Sequence, residues 1–236
     1  MSHHASGPNF EFPRGDARLD MTDLFVFTKP GDPSKSIIVL NVHPSFRLDS
    51  PESTTTEPFA PGPLYEIKID TNGPNSALGT NAVGIWARTL DKTADGWIQA
   101  DRGGRPLQAV FLSGEKKEEY LSGEPANDDR FIGVFAHELE HSGGYAPEDA
   151  KVVAKTMLPD ILSYDPRRPV SFPDNGRTLF DDVADVFFSI YANRNVTDKV
   201  GPHRDLLDEF PYLGPPHSIE SNSDNATSGG EHEKQG

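Results

Sequence analysis

The hydrophobic residues of this chain change their period part-way along it, and that change constrains the fold more than any other feature. In the first half they form short runs rich in β-branched and aromatic residues, at 25–28, 37–42, 64–69, 83–88, 97–100 and 109–112, the pattern of strands. Lys29-Pro30-Gly31-Asp32, Thr71-Asn72-Gly73-Pro74 and Arg102-Gly103-Gly104-Arg105-Pro106 separate these runs as turns. Leu64-Tyr65-Glu66-Ile67-Lys68-Ile69-Asp70 alternates apolar with mainly polar residues, so one face should be buried and the other wet. The stretch 49–63, rich in Ser, Thr, Pro and acid, reads as an exposed loop. Strands first and helices later predict an α+β domain. An antiparallel β-sheet or sandwich is expected in the first half, β-rich over 20–113, with helices from 128–217 packed on it.

The first of those helices is predicted over 128–145, with Asp128 as N-cap, an apolar stripe at Phe131, Val134, Phe135 and Leu139, and Gly143-Gly144 as its stop. A second starts at Pro147-Glu148-Asp149 and places Ala150, Val153, Ala154, Met157, Leu158, Ile161 and Leu162 at helical spacing. Pro159 should kink or end it. A third covers 179–192, with Val183, Val186, Phe187 and Ile190 inward and Asp181, Asp182 and Asp185 mainly outward, and 204–210 makes a short fourth. From Ser218 the chain is almost free of apolar residues and cannot repay its ordering entropy. One domain over 1–217 with a disordered tail over 218–236 is the expected organisation.

Composition narrows the functional classes. A net charge of −15 and a pI near 4.8 argue against nucleic acid or an anionic membrane as the main partner, because both repel such a chain at long range. With no Cys, disulfides and thiolate ligands are excluded, and any metal must be held by His, Asp or Glu. Met1-Ser2-His3-His4 lacks the apolar run of a signal peptide and no window approaches a membrane span, so a cytoplasmic location is expected.

His137-Glu138-Leu139-Glu140-His141 has the form H-E-x-x-H. This spacing puts two imidazoles one turn apart on a helix, able to hold a metal, with Glu138 beside them as the base for a bound water. Zinc is the first choice of ion for such a set. The competing reading is structural: Glu138 falls on the apolar side and would be satisfied by a buried Arg or by protonation. A third ligand is not supplied at the familiar distances. Pro147 stands where the longer zinc-protease pattern has its third His, and no Glu lies between Glu148 and Glu209. Asp160 or Asp165 could substitute.

Other candidate ligands are scattered. His3 and His4 follow a small residue at position two, where removal of Met1 would leave a chelating amine; a frayed terminus is the alternative. Asp20 and Asp23 flank a turn into the first strand, where capping explains them as readily as ligation. His203 and His217 lie in Pro-rich segments around Phe210-Pro211-Tyr212-Leu213, where backbone hydrogen bonding competes with ligation. His43 directly follows a strand, and Asp70 belongs to a hairpin turn. There is no G-x-S-x-G, no phosphate-binding G-x-x-x-x-G-K-[ST] and no G-x-G-x-x-G.

The motifs also carry a resemblance. Ser2-His3-His4, Asp20-x-Thr22-Asp23-Leu24-Phe25-Val26-Phe27, Leu64-Tyr65-Glu66-Ile67-Lys68-Ile69-Asp70, Gly84-Ile85-Trp86-Ala87-Arg88-Thr89, Asn175-Gly176-Arg177-x-Leu179-x-Asp181-Asp182-Val183 and Phe210-Pro211-Tyr212-Leu213-Gly214-x-Pro216-His217 together resemble the bacterial domain-of-unknown-function family numbered four-three-three-one. The resemblance runs over nearly all of 2–217 and implies a β-rich domain with appended helices, but no reaction. Members usually have further strands after the one ending at Asp70, whereas here only 71–83 intervene. Three functions therefore compete: a divalent-metal-binding protein using His and Asp residues, a zinc-dependent hydrolase or peptidase using His137, Glu138 and His141, and a non-catalytic binding or interaction protein. None names a small-molecule or peptide ligand.

Overall fold

A computed structural model describes residues 12–43, 46–47, 50–53, 58–71, 82–103, 112–199, 201 and 206–214. Compactness divides the chain into two units, Met1–His203 and Arg204–Gly236, a boundary that falls inside the stretch expected to form one domain. The expected tail over 218–236 and the expected turn at 72–74 lie outside the described residues. No described helix is long and apolar enough to cross a membrane.

The first unit holds antiparallel sheets, mostly from the first half, and four α-helices, mostly from the second. It is a mixed α+β fold, as the change of period predicts. Strands β1 (Met21–Thr28) and β2 (Ser36–Val42) form a hairpin across the Lys29-Pro30-Gly31-Asp32 turn, with Phe25 opposite Val39. Every residue from Met21 to Phe27 is buried, so β1 is covered on both faces rather than alternating. Strands β3 (Phe46–Arg47) and β4 (Ser50–Ser53) make a short pair, and β4 lies inside the stretch read as loop. Its composition is turn-like because the strands are only a few residues long.

The larger sheet is built on β6 (Val83–Thr93), flanked on one side by β5 (Leu64–Asp70). Along its other side run first β8 (Leu162–Tyr164) and then β7 (Gly96–Gly103). Arg102 and Gly103, expected in a turn, belong to β7, while most of the expected strand at 109–112 lies outside the described residues. Met21, Leu24 and Val26 of β1 pack with Ile85 and Ala87 of β6 and with Leu162 and Tyr164 of β8 in one apolar cluster. The segment around Arg177 is stitched to β1 by paired backbone bonds between Val26 and Arg177, 2.8 and 3.0 Å. Gly176 makes that approach possible: its φ is +69°, and a Cβ there would meet the Val26 carbonyl.

The helices are α1 (Gly114–Ser122), α2 (Ile132–Gly143), α3 (Pro147–Met157) and α4 (Val183–Ala192). The polar sequence of α1 hid it from the apolar pattern; only Lys117 and Tyr120 are buried on it. The helix predicted from Asp128 instead starts at Ile132, after a 3-10 segment, Pro125–Phe131, and has no side-chain cap. Asp128 is drawn away from capping by a buried guanidinium described below. Gly144 ends α2 as expected, with φ +64° and its N–H on the Glu140 carbonyl. Pro147 is the first residue of α3, but the helix ends at Met157, because Leu158 precedes a proline and turns extended. Leu162, expected on that helix, is in β8 instead.

Phe135, Leu139, Ala150, Ala154, Met157 and Phe187 form the centre of a second apolar cluster, each at most 1% exposed. Each of the large ones stabilises the fold by about 1.5–3 kcal/mol relative to exposure. Phe172 packs against both clusters and so links the sheets to the helices. Gly143 lets the end of α2 reach α4, since a Cβ would strike the Tyr191 carbonyl. Ser142 and Tyr145 hydroxyls donate to the Tyr191 and Ile190 carbonyls there, at 3.0 and 2.7 Å.

In the second unit, residues 206–214 form a turn in which the Tyr212 N–H donates to the Glu209 carbonyl and the Leu207 N–H to the Tyr212 carbonyl. The described part of the predicted fourth helix is thus a turn.

Candidate functional site

α2 does put His137 and His141 side by side: the rings meet edge to face, centroids 4.4 Å apart, and both residues are exposed. Glu138 lies half-buried between them and the core. No buried arginine pairs with it among the described residues. The third ligand is missing. Among the described residues, no Asp, Glu or further His completes a three-ligand group with the pair. Asp160 accepts the Tyr120 hydroxyl at 2.5 Å, and Asp165 is gripped by Arg167 through two bonds of 2.9 and 2.8 Å, which hold its carboxyl down to about 2.

Asp20 is 2% exposed, and its carbonyl receives the His43 N–H at 2.9 Å. His43 itself packs edge-on against Phe59. Asp23 lies within β1 and pairs with buried Arg177 at 2.7 Å. His3, His4, His203 and His217 lie outside the described residues.

The group of carboxylates that the described residues do gather is Asp182, Asp185 and Asp198, with one oxygen from each lying within 4.8 Å of the others. Asp182 is the N-cap of α4 and accepts the Asp185 N–H at 3.0 Å. α4 then ends at Asn193, whose left-handed backbone, φ +52°, turns the chain back. The Ser189 hydroxyl clips the returning strand by bonds to both the N–H and the carbonyl of Val196. That return delivers Asp198, whose N–H donates to Asp185 at 2.8 Å. One oxygen of Asp182 and one of Asp185 are thus engaged in holding the turn. Oxygens up to 4.8 Å apart can share one cation at the 2.3–2.6 Å distances that calcium prefers. Sequence reading placed Asp182 and Asp185 on the outer face of α4, but nothing in the spacing marks Asp198, which arrives by a tertiary reversal.

Known protein families, curated proteins and solved structures contain no match to this chain. The family resemblance therefore rests on the residue motifs alone.

A second concentration of ionisable groups lies where β7 meets the helices. The Arg102 guanidinium is clamped by both oxygens of Asp128, at 2.5 and 3.2 Å, and donates to the Tyr120 and Gly123 carbonyls. Asp128 also accepts the Asp160 N–H at 2.8 Å. Burial opposes the charge on Arg102, but the carboxylates of Asp160 and Asp128 outweigh it and raise its pKa. Burial and the neighbouring Asp160 push the Tyr120 phenol well up. Every member bonds another member or backbone, although the buried Nε of Arg102 has no acceptor, and the cluster ties β7, α1, the 3-10 segment and the chain after α3 together. Its chemistry is that of a buried structural joint.

Asp101, next in line, accepts the N–H groups of Met21 at 2.7 Å and Arg102 at 2.8 Å. Burial raises its carboxyl to about 7, against the pull of those two donors. In the unfolded chain the group ionises near its ordinary value of 3.8, so between about pH 4 and pH 7 the folded state alone keeps the proton. Its contribution to stability is full below about pH 4 and is lost as pH rises through about 7. Denaturant unfolding across this window should show wild-type stability falling relative to Asp101→Asn, whose amide does not titrate. Parallel profiles for the two proteins would show that Asp101 is ionised throughout.

Proposed function

We propose that the protein binds a hard divalent cation, calcium in the first place, through Asp182, Asp185 and Asp198. The observation that carries this reading is the convergence of three carboxylates at the first turn of α4. An all-oxygen donor set suits calcium, magnesium or manganese better than zinc, and three carboxylates suit calcium better than magnesium, which usually takes one or two and keeps its waters. The metal expectation drawn from imidazoles thereby passes to carboxylates. The cation's role is to tie the returning 193–198 segment to α4, with water completing its shell. Two features keep the affinity low: Asp198 is exposed, and the positive end of the helix dipole opposes a cation. A Kd on the order of 10⁻⁴–10⁻³ M is expected, in the range of weak extracellular-type calcium modules.

Titration calorimetry with calcium, magnesium and zinc on the wild type, Asp182→Asn and Asp198→Asn tests the proposal. Asn at 182 keeps the helix cap while removing the charge, so both variants should fold and lose calcium binding. At ten times Kd, calcium should add about 1.4 kcal/mol to wild-type stability, roughly 3–6 °C in melting temperature for a chain of this size. Absence of calcium binding at millimolar concentration would overturn the assignment. So would binding that survives Asp198→Asn but is lost in His137→Ala, which would return the metal to α2.

A further inference from the structure

Among the described residues the sheet built on β6 stops at β5, where apolar side chains are exposed. Among these residues β5 hydrogen-bonds β6 alone, and none of them pairs with its other edge. Tyr65, Ile67 and Ile69 share a face with Thr89, Ala87 and Ile85, directly opposite them on β6. Ala87 and Ile85 are 0% and 2% exposed, yet Ile67 and Ile69 are 42% and 53% exposed. The core therefore ends between two adjacent strands, and the apolar surface continues to that edge, an arrangement that invites another strand. On the opposite face Glu66 holds Arg88 at 2.6 Å and Lys68 at 3.2 Å.

We infer that β5 pairs antiparallel with β5 of a second copy of this chain, about a two-fold axis through Ile67. Residues directly opposite in an antiparallel pair point to the same face and touch. With the axis on Ile67, the apolar face sets Ile67 against the second copy's Ile67 and Tyr65 against its Ile69, twice over by symmetry. The other face sets Glu66 against the second copy's Lys68 and Lys68 against its Glu66. The five residues 65–69 are thus complementary to themselves in both hydrophobicity and charge, as a two-fold interface requires, with Leu64 and Asp70 opposed at the strand's ends. Other registers match less of the strand: an axis on Tyr65 sets Leu64 against Glu66, and one on Ile69 keeps Lys68 against Asp70 but puts Ile67 against Thr71 beyond the strand. An axis on Glu66 opposes two glutamates; one on Lys68 opposes two lysines and sets Glu66 against Asp70. An axis between residues puts the apolar face of one copy beside the charged face of the other. Pairing about Ile67 uses up both β5 edges and closes the assembly as a dimer, where a less specific edge would go on adding chains.

Sedimentation velocity on the full chain tests this. Wild type should approach twice the 25.9 kDa chain mass with rising concentration. Glu66→Lys and Lys68→Glu each turn both cross-axis ion pairs into like-charge pairs and should each weaken the dimer by roughly tenfold or more. Mixed in equal amounts, the two variants should dimerise again, because every Lys then meets a Glu across the axis. Glu66 also holds Arg88 within its own sheet, so circular dichroism must first show both variants folded. Should either fail, Ile67→Lys, which breaks no ion pair and puts two ammonium groups on the axis, must be monomeric. A monomeric wild type at about 100 μM, or single variants that dimerise as the wild type does, would overturn the inference, and so would folded variants that stay monomeric on mixing.

Discussion

Replacing Asp128 by Ala is expected to destabilise the fold by about 3–5 kcal/mol, the usual result of removing one partner from a buried ion pair. Asp128 is 1% exposed and its Arg102 partner 5%, so the guanidinium left behind has no water to turn to. Asp128 also accepts the Asp160 N–H, which would lose its acceptor as well. Two features soften the loss: Arg102 keeps the Tyr120 and Gly123 carbonyls, and the Asp160 carboxylate still acts on its charge. Asp128→Asn preserves an acceptor but not the charge and should fall between the two. At 2–4 °C per kcal/mol for a domain of 150–250 residues, the Ala variant should melt roughly 6–20 °C lower. The exposed Arg130–Glu119 pair, with side chains 44% and 51% exposed, is the internal control, since breaking such a pair costs about 0–1 kcal/mol. Equal losses at the two sites, measured by denaturant unfolding, would show that the Arg102 cluster is far wetter than its burial implies.

The second large effect has the opposite sign: Lys117→Met should stabilise the protein by about 1–3 kcal/mol at neutral pH, the scale of one buried polar group left without a partner. Lys117 is 1% exposed, and its ammonium has no hydrogen-bond partner. Burial lowers its pKa to about 8, with Glu118 pulling weakly the other way. Below about pH 8 the lysine is charged in both folded and unfolded chains, so the cost of burying the charge is felt in full. As pH rises from about 8 to the ordinary lysine value of 10.5, the folded form sheds its proton first. Wild-type stability should therefore rise across that window relative to Lys117→Met. Unfolding measured at pH 7 and pH 10.5 decides the matter; a Met variant less stable than wild type at pH 7, or a difference that does not shrink at pH 10.5, would show that the ammonium has a stabilising partner.

The Arg102–Asp128 and Asp23–Arg177 pairs have comparable positions, each joining a strand to the chain of the second half. Arg102 joins β7 to α1 and to the segments on either side of α2 and α3, while Arg177 joins β1 to the chain leading into α4. Arg177 also lies over the Phe25 ring, 4.2 Å from its centroid, a cation–π contact that adds to the ion pair. Polar groups are buried in this fold where strands meet the chain of the second half, and there a lost partner is costly.

What the sequence determined by itself is the local part of this structure. The change of hydrophobic period marks strands before helices, and the turn at Lys29-Pro30-Gly31-Asp32, Gly144 at the end of α2, Pro147 at the start of α3 and the inward Val183 and Phe187 follow from propensities that act over one or two turns of chain. The pairing of His137 with His141 was equally legible, because helical spacing alone sets it. Everything that depends on distant partners was decided by the tertiary structure. Asp128 looks like a cap until Arg102, 26 residues away, claims it. Leu162 fits a helical stripe until β6 offers it a strand to pair with. α1 escaped notice because its buried face consists of a lysine and a tyrosine. Asp198 joins Asp182 and Asp185 only because the chain reverses at Asn193. The outer edge of β5 shows the same division: the strand's alternation is written in the residues, but what covers its faces and edges depends on where every other strand ends. Hydrogen bonds, ion pairs and burial act through space, so their partners have no fixed spacing along the chain from which they could be read.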